Sequence, residues 1–347
     1  MSGASLGSEQ SLNRSAPSLR AAVEQNAACH FVKALLDCGA GDDVRDQTST
    51  MTLVEISAKN RNFFVTRLLL SRNFAPDSGS GAHSKTTALQ HAVINGDMLT
   101  VAVLLNHGAN PNLWSSEDLR TPLEIAIATK AGSLALVNLL VAKGANPNKR
   151  RSPIWYKGLE STIDAFLSPL QLAISWNHLG VLEALIFHGA DVNDRASMRA
   201  LFHSNVSLLQ ARQTPLQLAV SLNNLEAVEL LLYHGANVNA PAHPRGGATA
   251  FQYAAMVGSL SIARALISRG VDVNAPAASQ DGRTALEGAA ENGHLVMVGF
   301  LLSGSVIVYE MDGMRAIMRA RNNGHTEVVN LLQLKLPSKH RRSMYFS

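Results

Sequence analysis

The stretch "SPLQLAISWNHLGVLEALIFHGADVN", Ser168 to Asn193, returns 46 residues later as "TPLQLAVSLNNLEAVELLLYHGANVN", Thr214 to Asn239. Self-similarity at a fixed period constrains a chain to stack like units, because one unit cannot bury its apolar face alone. Related copies begin at Thr87, Thr121, Thr249 and Thr284, so that the six starts lie 34, 47, 46, 35 and 35 residues apart. The short spacings approach the roughly 33 residues of helical-pair arrays.

Each unit opens with Ser or Thr followed three residues later by Gln or Glu: Thr87/Gln90, Thr121/Glu124, Ser168/Gln171, Thr214/Gln217, Thr249/Gln252 and Thr284/Glu287. That pattern is a capping box, in which two side chains satisfy orphan backbone donors at a helix start. Pro122, Pro169 and Pro215 occupy the first helical position, where a missing N–H costs nothing. Gly96, Gly258 and Gly293, with Asn177 and Asn223 in the equivalent place, can supply the left-handed residue that ends helix one. Helix two carries leucines at helical spacing, such as Leu225, Val228, Leu231 and Leu232, and stops at Gly108, Gly144, Gly189, Gly235 or Gly270. An "ANPN", "ADVN" or "ANVN" sequence then favours a turn.

The "TPLxxA…LLLxxGAxxN" pattern resembles the ankyrin repeat, which implies an all-α solenoid of about nine helix-turn-helix units with two loop insertions. Where the family usually has His after Thr-Pro-Leu, this chain has Gln or Glu, which keeps the capping role but changes the hydrogen-bond donor. The expected organisation is a disordered leader at 1–18, an array at 19–334 and a basic tail at 335–347. Within the array, 19–77 holds degenerate repeats without clean caps, 85–306 holds six clear repeats and 310–334 a closing repeat.

Two spacings are lengthened by insertions at 149–167 and 194–212, directly after the repeat turn, where an ankyrin array projects its fingers. Per-repeat insertions often map to a binding face, although surface loops also tolerate insertion without function. In the first insertion Trp155 and Tyr156 lie between Arg150/Arg151 and Lys157, residue types enriched at interface hot spots. The resemblance further implies a concave contact line along the ends of the first helices. That line includes Ile94, Asn95, Ala128, Thr129, Ser175, Trp176, Ser221, Leu222, Met256, Val257, Glu291 and Asn292. Its apolar middle, Trp176, Leu222, Met256 and Val257, suggests a docking patch; the alternative is that these side chains tuck against the inserts.

Catalysis finds little purchase in the sequence. "GSGAHSKT" (Gly79–Thr86) nearly matches a phosphate loop, but Ser84 stands where the second Gly belongs and no strand precedes it. His107, His188 and His234 share the slot before the helix-two stop, which spreads them along a ridge rather than converging them on one metal. Only two cysteines occur, Cys29 and Cys38, which fits a reduced compartment, cytoplasm or nucleus. The first 18 residues lack the pattern of a secretory signal, and no apolar run reaches the roughly 20 residues of a membrane helix. A net charge of +4 is too mild to argue for direct nucleic-acid binding. The expected activity is therefore non-catalytic recognition of another protein, with no cofactor, metal, membrane or small-molecule substrate. The wording "GRTALEGAAENGHLVMVGFLL" followed by "RNNGHTEVVNLLQL" is also similar to arrays of filamentous fungi, which include transcription co-regulators of secondary-metabolite gene clusters. That similarity implies an alternative, a nuclear co-regulator acting through a DNA-bound transcription factor, with Lys335, Lys339, Arg341 and Arg342 of the tail as an import signal.

Overall fold

The computed structural model describes residues 19–40, 51–77, 86–114, 120–129, 133–149, 167–195, 213–304, 307 and 309–336. Among these residues lie eighteen helices and no strand, apart from one isolated bridge. They fall into two compact units, Met1–Asn146 and Pro147–Ser347. The first holds α1 (Leu19–Glu24), α2 (Cys29–Asp37), α3 (Leu53–Lys59), α4 (Phe63–Ser71), α5 (Ala88–Ile94), α6 (Met98–Asn106), α7 (Pro122–Ala128) and α8 (Leu134–Ala142). The second holds α9 (Pro169–Ser175), α10 (Leu179–Phe187), α11 (Pro215–Ser221), α12 (Leu225–Tyr233), α13 (Ala250–Val257) and α14 (Leu260–Ile267). It continues with α15 (Ala285–Glu291), α16 (Leu295–Ser303), α17 (Glu310–Asn322) and α18 (Thr326–Lys335). Odd and even helices pair, and within each unit odd packs on odd and even on even.

The first helix of a central pair is buried almost all round. In α11, Pro215 through Val220 are buried, because α9 covers one side and α13 the other. Within each unit, adjacent first helices approach closely over small residues, Ala92 and Ala126 in the first and Ala173, Ala219, Ala254 and Ala289 in the second, all fully buried, and interaxial distance follows the side chains at the contact. Ser57 takes this place in α3, its hydroxyl satisfied by Thr66 Oγ1 at 2.9 Å.

Capping boxes form at α5, α7, α9, α11 and α13 as the spacing requires. Two corrections emerge. The supposedly uncapped N-terminal copy has a full box, Thr52 with Glu55. At α15 Thr284 accepts from the Glu287 N–H, while the Glu287 carboxylate turns to Arg315 Nε at 2.6 Å in place of closing the box. The second helices end in positive-φ glycines at Gly108, Gly144, Gly189, Gly235 and Gly270, as expected.

Between neighbouring pairs the glutamines do more than cap. Gln217 Oε1 accepts from the Thr214 N–H, and its Nε2 donates across the interface to the carbonyls of Ala240 and Pro241 at 3.0 and 3.2 Å. Gln252 repeats this with Ala275 and Pro276, Gln171 with Gln213, and Gln90 with Arg120. At the other edge, the last Asn of each repeat turn staples the next pair. Asn239 Oδ1 accepts from the Asp272 N–H at 2.7 Å, and its Nδ2 donates to the Gly270 carbonyl at 3.0 Å. Asn112, Asn148 and Asn193 bond the following turn in the same way.

Gly258 shows how tightly successive pairs meet. Its φ is +73°, and a Cβ placed there would stand 2.6 Å from the His294 ring, which itself bonds the Met256 carbonyl at 2.9 Å. Gly108 has a similar φ but nothing within 4 Å. Gly258→Ala is therefore expected to cost about 3 kcal/mol, from left-handed strain plus the ring contact. Gly108→Ala should cost about 1 kcal/mol, from strain alone. Urea denaturation of the two variants measures the difference, and equal losses would contradict the ring contact.

Candidate functional site

The ends of the first helices in the second unit place the candidate docking residues. Trp176 and Leu222 are the C-caps of α9 and α11, helices that pack side by side. They occupy the same repeat position and are 43% and 42% exposed, directly after helical runs whose other residues are almost all buried. Val257, the equivalent residue of α13, is half-buried. Met256 is half-buried too, and its Cγ would lie 2.5 Å from a Cβ added at Gly288. Met256 therefore rests on the backbone of the following pair, in a space that exists because residue 288 is glycine. The apolar pair that faces solvent is Trp176 with Leu222. Arg150, Arg151, Trp155 and Tyr156 lie outside the described residues, as does most of both insertions.

Where the second insertion enters and leaves, the described residues are anchored. Tyr253 occupies the position held by Leu172 and Leu218 in the preceding helices. Its hydroxyl is pushed up by burial, and it hydrogen-bonds the Gln213 side chain and the Ala248 backbone, with Arg195 close by. Burial in turn lowers the Arg195 guanidinium. The buried phenol thus sits beside both stems of the second insertion, bonded to Gln213 and near Arg195. Nothing in the sequence pattern beyond a Tyr among leucines marks this.

Two regular fingers were also missed. The segments around Pro244 and Gln280 pair across neighbouring units: the Gly246 N–H donates to the Gln280 carbonyl at 2.8 Å, and the Gln280 N–H to the Pro244 carbonyl at 3.0 Å. Gly247 and Gly282 are needed for their tightness, since a Cβ there would come 2.4 and 2.2 Å from the backbone nitrogens of His243 and Ala278. The "RGG" and "DGR" sequences are the signal that could have found them. On the second helices, Phe187 and Tyr233 stand 84% and 76% exposed, each edge-on to the following histidine at 5.4 and 5.1 Å between ring centroids.

Toward the end of the contact line, Glu291 is structural. Arg283 Nε and Nη2 reach its two oxygens at 2.7 and 3.1 Å, and Arg319 Nη1 approaches at 3.5 Å. Arg283 beside it holds its carboxyl below the usual range. Among the described residues no group of three His, Cys, Asp or Glu side chains converges as metal ligands. His107 turns back onto its own helix, Nδ1 lying 2.9 Å from the Val103 carbonyl. The phosphate-loop-like segment lies outside the described residues except for Thr86. No helix among the described residues is long and apolar enough to cross a membrane.

The repeats have counterparts among known proteins. The family model for ankyrin repeats matches residues 19–112, 74–151 and 193–277, and a single-repeat model matches 167–197. FPV031, a Fowlpox virus (strain NVSL) protein named for ankyrin repeats, is 29% identical over 159 residues, covering 46% of this chain and 42% of that protein. FPV014 of the same virus is 26% identical over 175 residues, 50% of this chain and 36% of that protein. The chain thus spans about two fifths of the length of these relatives. They are viral and lend nothing to the fungal similarity. The human ASB11 ankyrin repeat domain is 19% identical, with a TM-score of 0.48 over 68% of this chain and 90% of that one.

The Glu291 carboxyl gives the fold an acid-sensitive element. A carboxyl lowered in the folded state stabilises above its ordinary value of 4.5, and that contribution is lost as pH falls from there through the lower folded value. Between about pH 5 and pH 3 the wild type should lose more stability than Glu291→Gln. Denaturation midpoints across that range check it, and parallel pH profiles would contradict it.

Proposed function

We propose, from the premise that this chain belongs to the ankyrin-repeat family, that it acts as a non-catalytic adaptor. Ankyrin repeats are protein-interaction modules, and the partner here is another protein, held at the first-helix ends around Trp176 and Leu222. The single observation that carries this is their shared exposure at equivalent positions of adjacent helices. Elsewhere those helices bury nearly everything apolar. An exposed Trp beside an exposed Leu on a preformed support loses little conformational freedom on binding, and Trp is the residue type most enriched at hot spots. Arg150, Arg151, Trp155 and Tyr156 of the first insertion are included in this reading on their residue types alone, which are those enriched at hot spots. Val257 flanks it, while Met256 supports the neighbouring backbone. The array needs no cofactor, nucleic acid or small-molecule substrate for this role. Both described cysteines are free thiols, in keeping with a reducing compartment, cytoplasm or nucleus.

The nuclear co-regulator is a narrower form of this reading. It rests on the basic residues Lys335, Lys339, Arg341 and Arg342, and its partner would be a DNA-bound transcription factor. Nuclear accumulation lost on replacing Lys339, Arg341 and Arg342 by Ala supports it. A cytoplasmic distribution of the wild type sinks it.

For the adaptor, wild type and Trp176→Ala/Leu222→Ala, matched in helical content by circular dichroism, are used to capture proteins from native extract. The captured partner is then purified and titrated against both. The variant should bind at least about 30-fold more weakly, the effect of losing a hot-spot anchor. Equal affinities would move the site elsewhere on the array.

A further inference from the structure

The α17 helix departs from the central first helices before it. The first helices of the central pairs are covered on two sides, but α17 buries only Gly313, Ala316, Ile317 and Ala320, the side that meets α15. The opposite side carries Met311 and Met318, 61% and 56% exposed, with half-buried Met314 between them. At about 100° per residue these three form one stripe facing away from the buried side.

The charges flanking the stripe are arranged by sign along the helix. Glu310 and Asp312 stand in the first turn, Arg319 and Arg321 in the last. The helical period puts Glu310 and Arg321 on one flank and Asp312 and Arg319 on the other. Both pairs are centred on the same point, between Arg315 and Ala316. We infer that this face docks on the same face of a second copy of the chain, with the two α17 helices antiparallel about a two-fold axis. In that arrangement Glu310 of each copy lies beside Arg321 of the other, and Asp312 beside Arg319, while the methionines meet in the middle. An isologous contact requires such self-complementarity, and antiparallel helices add favourable dipole alignment.

Arg315, which lies at the edge of the stripe, does not oppose this. Its Nε is held at 2.6 Å from Glu287 Oε1 and its Nη2 bonds Asp312, so its charge is compensated within one copy. The Asp312 carboxylate has several acceptor sites and can serve Arg315 and a partner's arginine together. Arg319 is likewise offset within its own copy, by Glu287 and Glu291 at 3.6 and 3.5 Å; its Nε is buried, so its terminal Nη groups are the donors that a partner's Asp312 would meet.

Sedimentation of the full chain over a wide concentration range tests this. Wild type should form a reversible dimer, and Met311→Glu/Met318→Glu should be monomeric with unchanged helical content. Glu310→Lys and Arg321→Glu each place like charges together across the axis, so each alone should weaken self-association at least about tenfold. An equimolar mixture of those two variants restores opposite charges at both contacts and should dimerise like wild type, a rescue that misfolding cannot imitate. A wild type that stays monomeric throughout overturns the inference. So does a dimer indifferent to these variants, or a chain that associates only once residues 337–347 are removed, which would assign the stripe to the tail.

Discussion

A buried backbone group must find a partner or the fold loses about 1–3 kcal/mol at that site. In this chain the demand is sharpest where a first helix begins against its neighbour's loop. The helix start presents unpaired N–H groups and the facing loop presents carbonyls, both out of water's reach. A glutamine at the third helical position answers both, since one amide carries an acceptor and a donor on the same rigid plane. Gln217 is 1% exposed and joins the Thr214 N–H to the Ala240 and Pro241 carbonyls. A glutamate keeps the acceptor and lacks the donor. At Glu287 the chain answers that loss with the guanidinium of Arg315.

Coupling therefore runs through two lines of amides. The glutamines tie helix starts to the next loop, and the asparagines of the repeat turns tie each turn to the next second-helix end. Stability in such an array is a sum of nearest-neighbour terms, and these bonds are the directional part of each term. The apolar part is the stack of small alanines and the leucines of the second helices. Just past the first helix the repeats differ: Asn60, Asn95 and Asn323 bond carbonyls of the preceding repeat, whereas the residues after α9 and α11 are part-exposed and apolar. Trp176 and Leu222 occupy those two positions, where a side chain can be chosen for recognition.

Much of this was legible beforehand, because its causes are local. Ser or Thr with Gln or Glu three residues on is a capping box wherever it occurs, and Gly or Asn after a helix marks left-handed backbone. What stayed hidden depends on neighbours in space. Gln217 reads as a cap, and its second bond becomes visible only when the next loop is placed beside it. Asn239 reads as a turn former, yet its side chain serves the following repeat. Met256 looks like surface until Gly288 is seen beneath it; Thr52 with Glu55, by contrast, carries the same three-residue spacing as the other boxes within an otherwise degenerate copy. Of the candidate site, Trp176 and Leu222 are the C-caps of α9 and α11, 43% and 42% exposed. Trp155 and Tyr156 lie outside the described residues.

The most direct measurement compares the unfolding free energies of wild type, Gln217→Leu and Gln217→Glu by urea denaturation near neutral pH. Leucine fills the space but leaves the Thr214 N–H and two carbonyls unpaired, and should cost about 3 kcal/mol. Glutamate restores the cap but sets an anion against the Ala240 and Pro241 carbonyls, and should also destabilise, by about 2 kcal/mol or more. A Glu variant as stable as wild type would mean that the bridging donor contributes nothing, and would contradict the account of how these repeats are coupled.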